Sequence, residues 1–243
     1  MQRAWDMAGA LLFRLRSFAP LPIIWLAVRL SWDSHVHSGA GGPRVDGALN
    51  VIGVACCVIG AMVRFVTIGM VPAGTSSQSR RMAARQLNTT GPYAVVRHPL
   101  YLGNLLITVG LLCVAHEPWA WGLGLGYWAL SHGLIILAEE RLLRETFGAR
   151  FEAWAREVPA LVPRLSRLRE VRGPFAWKRA IQREINPLVG WGLGVTLLLV
   201  WERFVRSQLS PPEWWWYVRI AGALLVLLIA NKVWKKVSAH EPT

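Results

Sequence analysis

Charged residues are scarce in this 243-residue sequence, at 17%, where a soluble domain carries about 25%. Acidic residues are the scarcer sign: 14 Asp and Glu stand against 27 Lys and Arg, leaving a formal net charge of +13. A soluble nucleic-acid binder could carry that charge, but not with a composition that is 53% hydrophobic and rich in Leu, Val and Trp. The same apolar content excludes intrinsic disorder. Cysteine is scarce too. Cys56, Cys57 and Cys113 lie in apolar runs, adjacent Cys56 and Cys57 cannot easily bridge each other, and no CxxC or Cys/His ligand spacing occurs. Neither a disulfide framework nor structural zinc is expected, and neither a metal nor a nucleic acid is expected as a partner. The first 16 residues carry Arg3, Asp6, Arg14 and Arg16 with no small-residue cleavage site behind a short apolar core, so a cleaved signal peptide is not expected. No internal repeat or low-complexity segment is visible. What is present is the composition of an integral membrane protein with basic flanks.

A spanning helix needs about 20 mostly apolar residues. Residues 98–116 and 118–138 are each free of Asp, Glu, Lys and Arg, separated by Glu117. An uncharged run at 47–63 continues past Arg64 to Met70, and another at 187–201 opens on Asn186-Pro187, a pattern that suits a helix start. Residues 17–32 contain Arg29 and 214–231 contain Arg219, each near enough to an end to snorkel. Trp214, Trp215, Trp216 and Tyr217 read as an interfacial belt. The expectation is an all-α, polytopic bundle of about six spans. With both termini cytoplasmic, 21 Lys and Arg fall on inner segments and three on outer ones, as the positive-inside rule requires.

Between the spans, residues 72–90 are polar and basic, whereas 139–157 place Leu143, Phe147, Phe151 and Trp154 at helical spacing. The latter reads as an amphipathic interfacial helix. Pro159, Pro163 and Pro174 interrupt the chain beyond it. A basic segment at 164–186 is expected on the anionic inner leaflet, or simply as a solvated, lipid-facing surface. The chain thus divides into spans 1–2 (1–71), a core (72–163), the basic segment (164–186) and spans 5–6 (187–243).

Two clusters bear chemistry. One is Gly91-Pro92-Tyr93 with Arg97-His98-Pro99-Leu100-Tyr101-Leu102-Gly103; the other is Glu139-Glu140. A helix from Tyr101 to Glu117 rises about 24 Å and one from Pro118 to Glu139 about 32 Å. The hairpin 98–138 therefore crosses and returns, placing His98 and Tyr101 beside the carboxylates at the cytoplasmic rim. Taken separately, the first cluster reads as a basic flank with Pro99 opening a helix. The second reads as a polar exit paired locally as Glu140–Arg144 and Arg141–Glu145. Together they make a functional-site hypothesis, the two acidic residues calling for a cationic partner, with Glu139 expected to face the other arm and Glu140 to face Arg144. An isolated HxH at His35 and His37 reads as outer loop, and Gly122, Gly124 and Gly126 as close helix packing.

In this order, Thr90-Gly91-Pro92-Tyr93, Arg97-His98-Pro99-Leu100-Tyr101-Leu102-Gly103, Glu139-Glu140, Leu143, Phe147-Gly148, Phe151 and Val158-Pro159 resemble the isoprenylcysteine carboxyl methyltransferases and the related phospholipid methyltransferases, over residues 89–163. The resemblance implies S-adenosylmethionine held by His98, Tyr101, Leu102, Gly103, Glu139 and Glu140 at the cytoplasmic border. Arg97, His98 and Glu140 would serve the chemistry, Arg97 by orienting an anionic acceptor. It also implies a lipophilic, membrane-embedded acceptor bearing a phosphate, carboxylate or amine. Phe151 and Trp154 depart from the tyrosines usual there, and Ala160 from an arginine. Membrane sterol reductases, which use NADPH, share an arginine-histidine segment, but Pro99-Leu100 fits the methyltransferase form and Asn104 replaces their acidic residue. A non-enzymatic transport or assembly protein is the third reading.

Overall fold

The computed structural model describes residues 42–72, 86–205 and 211–238; the span expected at 17–32 and the His35/His37 pair lie outside them. The described residues form α1 (Gly42–Met70), α2 (Pro99–Ala115), α3 (Pro118–Phe147), α4 (Ala149–Glu157), α5 (Trp177–Val205) and α6 (Pro211–Ser238), with 3-10 turns at Gly91–Ala94 and Leu165–Glu170. This is an all-α membrane bundle. By length and composition α1, α3, α5 and α6 can each cross a membrane, while the 17-residue α2 is apolar but shorter. The apolar side chains left exposed, such as Val51, Met62, Leu137, Val226 and Ile229, form the surface that lipid requires.

Each arm of the hairpin starts where the sequence removes a donor that a first turn cannot use. Pro99 follows His98, and Pro118 follows Glu117. Between the arms His116 adopts a left-handed conformation, φ 60°, which closes the turn. The arm α2 lies against α1 through two glycine pairs. A Cβ at Gly53 would stand 2.6 Å from the Gly110 carbonyl oxygen, and one at Gly60 2.5 Å from that of Gly103. Such contacts let helices meet where no hydrophobic driving force operates between them. The expected glycine packing of α3 holds at Gly124, which meets Leu112, but not at Gly122 or Gly126, where an added Cβ meets no described atom within 4 Å.

Two boundaries differ from those the sequence suggests. The second arm does not stop at 138: it continues to Phe147, and Gly148, φ 50°, divides the expected 139–157 helix. Its apolar side then turns onto the protein, with Phe151 fully buried. Helix α5 begins at Trp177, so Pro187 is internal and not a start. Charges concealed the first turns of that helix. Arg179 there donates to the carbonyls of Ile68, Gly69 and Val71 at the end of α1. Asn231 of α6, 1% exposed, donates to the Gln182 carbonyl at 3.0 Å and to Asn186 Oδ1 at 3.1 Å beside the proline, which itself removes a helix donor.

Candidate active site

The strip that carries Arg97 and His98 is clamped by main chain. Arg97 N–H donates to the Pro159 carbonyl (2.8 Å), His98 N–H to that of Ala160 (3.1 Å), and Arg164 N–H to that of Val95 (2.9 Å). Position 160 thus acts through its backbone, which alanine supplies. The other two departures also have physical reasons. Phe151 lies fully buried, where a hydroxyl would need a partner, and Trp154 uses its Nε1 to donate to the Tyr93 carbonyl at 3.2 Å.

Arg97 binds three acceptors. Its Nε donates to Glu140 Oε1 at 2.9 Å, and its Nη1 to the carbonyls of Ala155 (2.6 Å) and Val158 (2.8 Å), at the C-terminus of α4. A guanidinium there satisfies carbonyls that have no intrahelical donor. His98, 6% exposed, is hydrogen-bonded through Nε2 to Glu140 Oε1 at 3.0 Å, and its Nδ1 stands 3.8 Å from Glu139 Oε2. A carboxylate only accepts, so Nε2 carries the hydrogen and Nδ1 faces Glu139. Glu140 therefore points inward to Arg97 and His98, contrary to the pairing with Arg144 expected from the sequence; Arg144 bonds Glu152 instead, at 2.5 Å. Tyr93 feels Glu139: desolvation, with the charge of Glu139 added, holds its phenol above the ordinary tyrosine range.

The sequence-expected residues divide into two groups. Arg97, His98, Tyr101, Glu139 and Glu140 come together, with Tyr101 stacked on His98 (centroids 5.7 Å, 29°). Gly103 does not join them. It faces α1, where a Cβ would stand 2.5 Å from Arg64 Cγ and 2.8 Å from the Gly60 carbonyl oxygen. Leu102 is half-buried on the first turn of α2, its N–H donating to the His98 carbonyl at 3.0 Å.

Beneath this site runs a polar chain that the sequence pattern does not reveal. Arg64, 8% exposed, holds Glu184 of α5 in a two-pronged pair (2.9 and 3.0 Å) and donates to Asn104 Oδ1 at 2.6 Å. Asn104 Nδ2 then reaches His132 Nε2 at 3.3 Å. His132 stacks on Trp128 (4.9 Å, 10°) and meets the edge of Tyr101 (5.5 Å, 75°). Contacts thus run from the buried ion pair across α1, α2 and α3 to the ring beside His98. The signal available in the sequence is Arg64 itself, since a lone charge within an apolar span points to a buried partner or a function.

A family model described as phospholipid methyltransferase matches residues 49–150, from α1 through the hairpin into α4. A protein of Alcaligenes xylosoxydans xylosoxydans named nickel-cobalt-cadmium resistance protein NccN is 31% identical over 149 residues, 61% of this chain and 68% of that protein. The cobalt-zinc-cadmium resistance protein CzcN of Cupriavidus metallidurans is 31% identical over 145 residues, 55% of this chain and 65% of its own length. The chain thus spans about two thirds of each relative's length. No solved structure matches it.

Proposed function

The chain belongs to the phospholipid methyltransferase family, and from that premise we propose that it transfers a methyl group from S-adenosylmethionine to the head group of a membrane lipid or isoprenoid-linked acceptor at the cytoplasmic face. The observation that carries this reading is the state of the two glutamates. Glu140 is taken up by Arg97 and His98, whereas Glu139, 21% exposed at its side chain, lies 3.8 Å from His98 Nδ1. That separation is too long for a hydrogen bond and leaves the carboxylate acceptor capacity for a cationic, hydroxyl-bearing ligand. The donor set therefore fits the cofactor.

Glu139 would accept from the amino group or ribose hydroxyls of S-adenosylmethionine, and the Tyr93 phenol and Tyr101 ring would border them. When bound, the cofactor supplies a methyl group on a sulfonium centre, an electrophile that needs no further activation. The protein's part is then mainly positioning and exclusion of water. Arg97, whose guanidinium grips Glu140 and the end of α4, is a positioning residue in this reading and not the anchor of an anionic acceptor. A phosphate or carboxylate acceptor attacks without a base. An amine must lose a proton, and His98 Nδ1 can take it while Nε2 stays bound to Glu140.

The acceptor reaches the site from the bilayer. Val162, Leu165 and Leu168 are exposed among Arg164, Arg167 and Arg169, a mixture suited to the interface of an anionic leaflet. The charge bias favours a cytoplasmic location for that leaflet, the 139–186 region and the C-terminus. Methylating a phosphate head group would remove a negative charge that divalent cations bind. This offers a chemical link to the resistance named for the two relatives.

The test is calorimetry on the detergent-purified full chain, followed by labelling of native membranes with methyl-tritiated cofactor. Saturable binding of S-adenosylmethionine and label in the lipid fraction are expected. Binding of NADPH in its place, or of neither, overturns the reading. Label confined to protein overturns the lipid acceptor.

A further inference from the structure

At the end of the bundle opposite His98, a second histidine is set among carboxylates by three helices. Asp46 and Asn50 lie one turn apart on α1, His116 closes α2, and Glu202 stands near the end of α5. Single ligand atoms from Asp46, His116 and Glu202 all lie within 4.8 Å of one another. Among the described residues His116 is the one non-glycine with positive φ. Glycine would close such a turn without strain.

The hydrogen bonds fix which way each group faces. Asn50 Nδ2 donates to Glu202 Oε2 at 3.1 Å, so its Oδ1 is the atom 2.9 Å from His116 Nε2. An amide oxygen only accepts, so Nε2 must carry the hydrogen. In the neutral ring, Nδ1 is then a lone pair, and it lies 3.1 Å from Asp46 Oδ1. It is buried without a hydrogen-bond partner, in a side chain 4% exposed. Acceptor faces acceptor, in hydrogen-bonding range but without the direction of a hydrogen bond. Two ligands of one cation stand in this relation: at bonds of about 2.0–2.2 Å to nitrogen and carboxylate oxygen, neighbouring ligand atoms lie about 3–3.5 Å apart, depending on the coordination angle. The bond from the remote ring nitrogen to Asn50 matches the outer contact that orients a metal-bound histidine.

We propose that Asp46, His116 through Nδ1, and Glu202 bind a divalent transition-metal ion that ties α1, α2 and α5 together at the end away from the methyl-transfer site. One imidazole and two carboxylates suit Zn(II), Co(II) or Ni(II), with water completing the coordination. Cysteine and histidine spacing along the chain carries no sign of such a site, because its three ligands come from positions 46, 116 and 202.

The rival occupant is a proton, which would make an imidazolium–aspartate pair. To separate the two, the full chain is purified in detergent, stripped with chelator and titrated with Co(II) chloride, following d–d absorption and thermal unfolding. One equivalent of Co(II) that raises Tm is expected. His116→Ala and Asp46→Asn should abolish the absorption, and Asn50→Ala should weaken binding by about 10–100-fold, while S-adenosylmethionine binding stays at the wild-type level in all three. A folded, stripped protein that takes up no Co(II) overturns the proposal, as does a His116→Ala variant that still binds it. Because the cofactor is measured separately, failure here leaves the methyltransferase reading intact.

Discussion

A histidine stands among carboxylates at each end of this bundle, and the two ends balance charge differently. At the end that carries the candidate site, His98 shares Glu140 with the guanidinium of Arg97, which itself is held by two carbonyls of α4. Arg97, His98 and Glu140 satisfy one another, and the acceptor capacity of Glu139 is left over. At the other end, His116 turns a lone pair toward Asp46, and the amide of Asn50 fixes it so. The first arrangement is complete without added charge and presents one acceptor to a ligand. In the second, the buried Nδ1 of His116 is left without a hydrogen-bond partner. Similar residue types thus serve different purposes, and the difference lies in what orients the ring: a carboxylate shared with Arg97 at one end, the amide of Asn50 at the other.

The largest effect should come from removing an arginine at the completed end. Arg64 and Glu184 are both buried and doubly bonded, and a buried pair broken on one side costs about 3–5 kcal/mol. Arg64→Met should lower the thermal stability of the detergent-purified protein sharply. The double variant Arg64→Met with Glu184→Met should recover much of the loss, since two apolar side chains leave no charge stranded. A double variant no better than the single one would show that the pair is not the unit of stability.

The glutamates come next, and they sharpen the contrast within one site. Glu140→Gln removes the charge held by Arg97 and His98, and should cost about 1.5–3 kcal/mol of stability, the range for hydrogen bonds to charged groups, together with activity. Glu139→Gln should leave unfolding unchanged and weaken S-adenosylmethionine binding by about 10–150-fold, the same free energy expressed as affinity. His98→Ala should resemble Glu139→Gln in affinity while also loosening the strip. Calorimetry and thermal unfolding on the same preparations separate the two glutamates. Equal effects of both on both measurements would defeat the assignment.

Much of this site was legible because it is built from neighbours in sequence and from one hairpin. The apolar runs at 98–116 and 118–138 and the rise per residue suffice to bring His98 and Tyr101 to Glu139 and Glu140. Which glutamate turns inward was not legible. That depends on Arg97 reaching across to Glu140, while Glu152 takes Arg144, a partner eight residues away across the break at Gly148. The i,i+4 spacing of Glu140 and Arg144 is intact within α3, but partners distant in sequence take both side chains. The start of α5 was hidden for a related reason. Lys178, Arg179, Arg183 and Glu184 look like a cytoplasmic segment until Arg64 and the end of α1 are brought against Glu184 and Arg179. Periodicity marks a helix and its faces but carries no information about partners distant in sequence. The Asp46, His116 and Glu202 group was illegible for the same cause.

A smaller effect is expected where α2 meets α1 below the candidate site. Gly103→Ala would press a methyl group on Arg64 Cγ at 2.5 Å and on the Gly60 carbonyl oxygen at 2.8 Å. Backbone cannot yield as a side chain can, so overpacking should cost about 1–3 kcal/mol. Since Arg64 then has to shift from Asn104, the loss should appear in unfolding before it appears in cofactor affinity. An affinity loss with unchanged Tm would instead place Gly103 at the cofactor, as the family resemblance implies.

The smallest effects separate three glycines that look alike in sequence. Gly122, Gly124 and Gly126 lie close together on α3, but only Gly124 is buried against a neighbour, where an added Cβ would lie 2.8 Å from Leu112 Cδ2. Gly122 and Gly126 meet no described atom within 4 Å. Alanine in a helix interior is favoured over glycine by roughly 0.5–1 kcal/mol, so Gly122→Ala and Gly126→Ala should raise Tm slightly or leave it unchanged. Gly124→Ala gains the same propensity but must displace the buried Leu112, at about 1 kcal/mol or more, and should come out neutral to destabilising. The sign of the difference between Gly124 and its two neighbours is therefore the measurement. If all three alanine variants move together, the contact between the hairpin's arms is not set by Gly124, and the approach of α3 to α2 has to be explained by the aromatic stack of Tyr101, Trp128 and His132 alone.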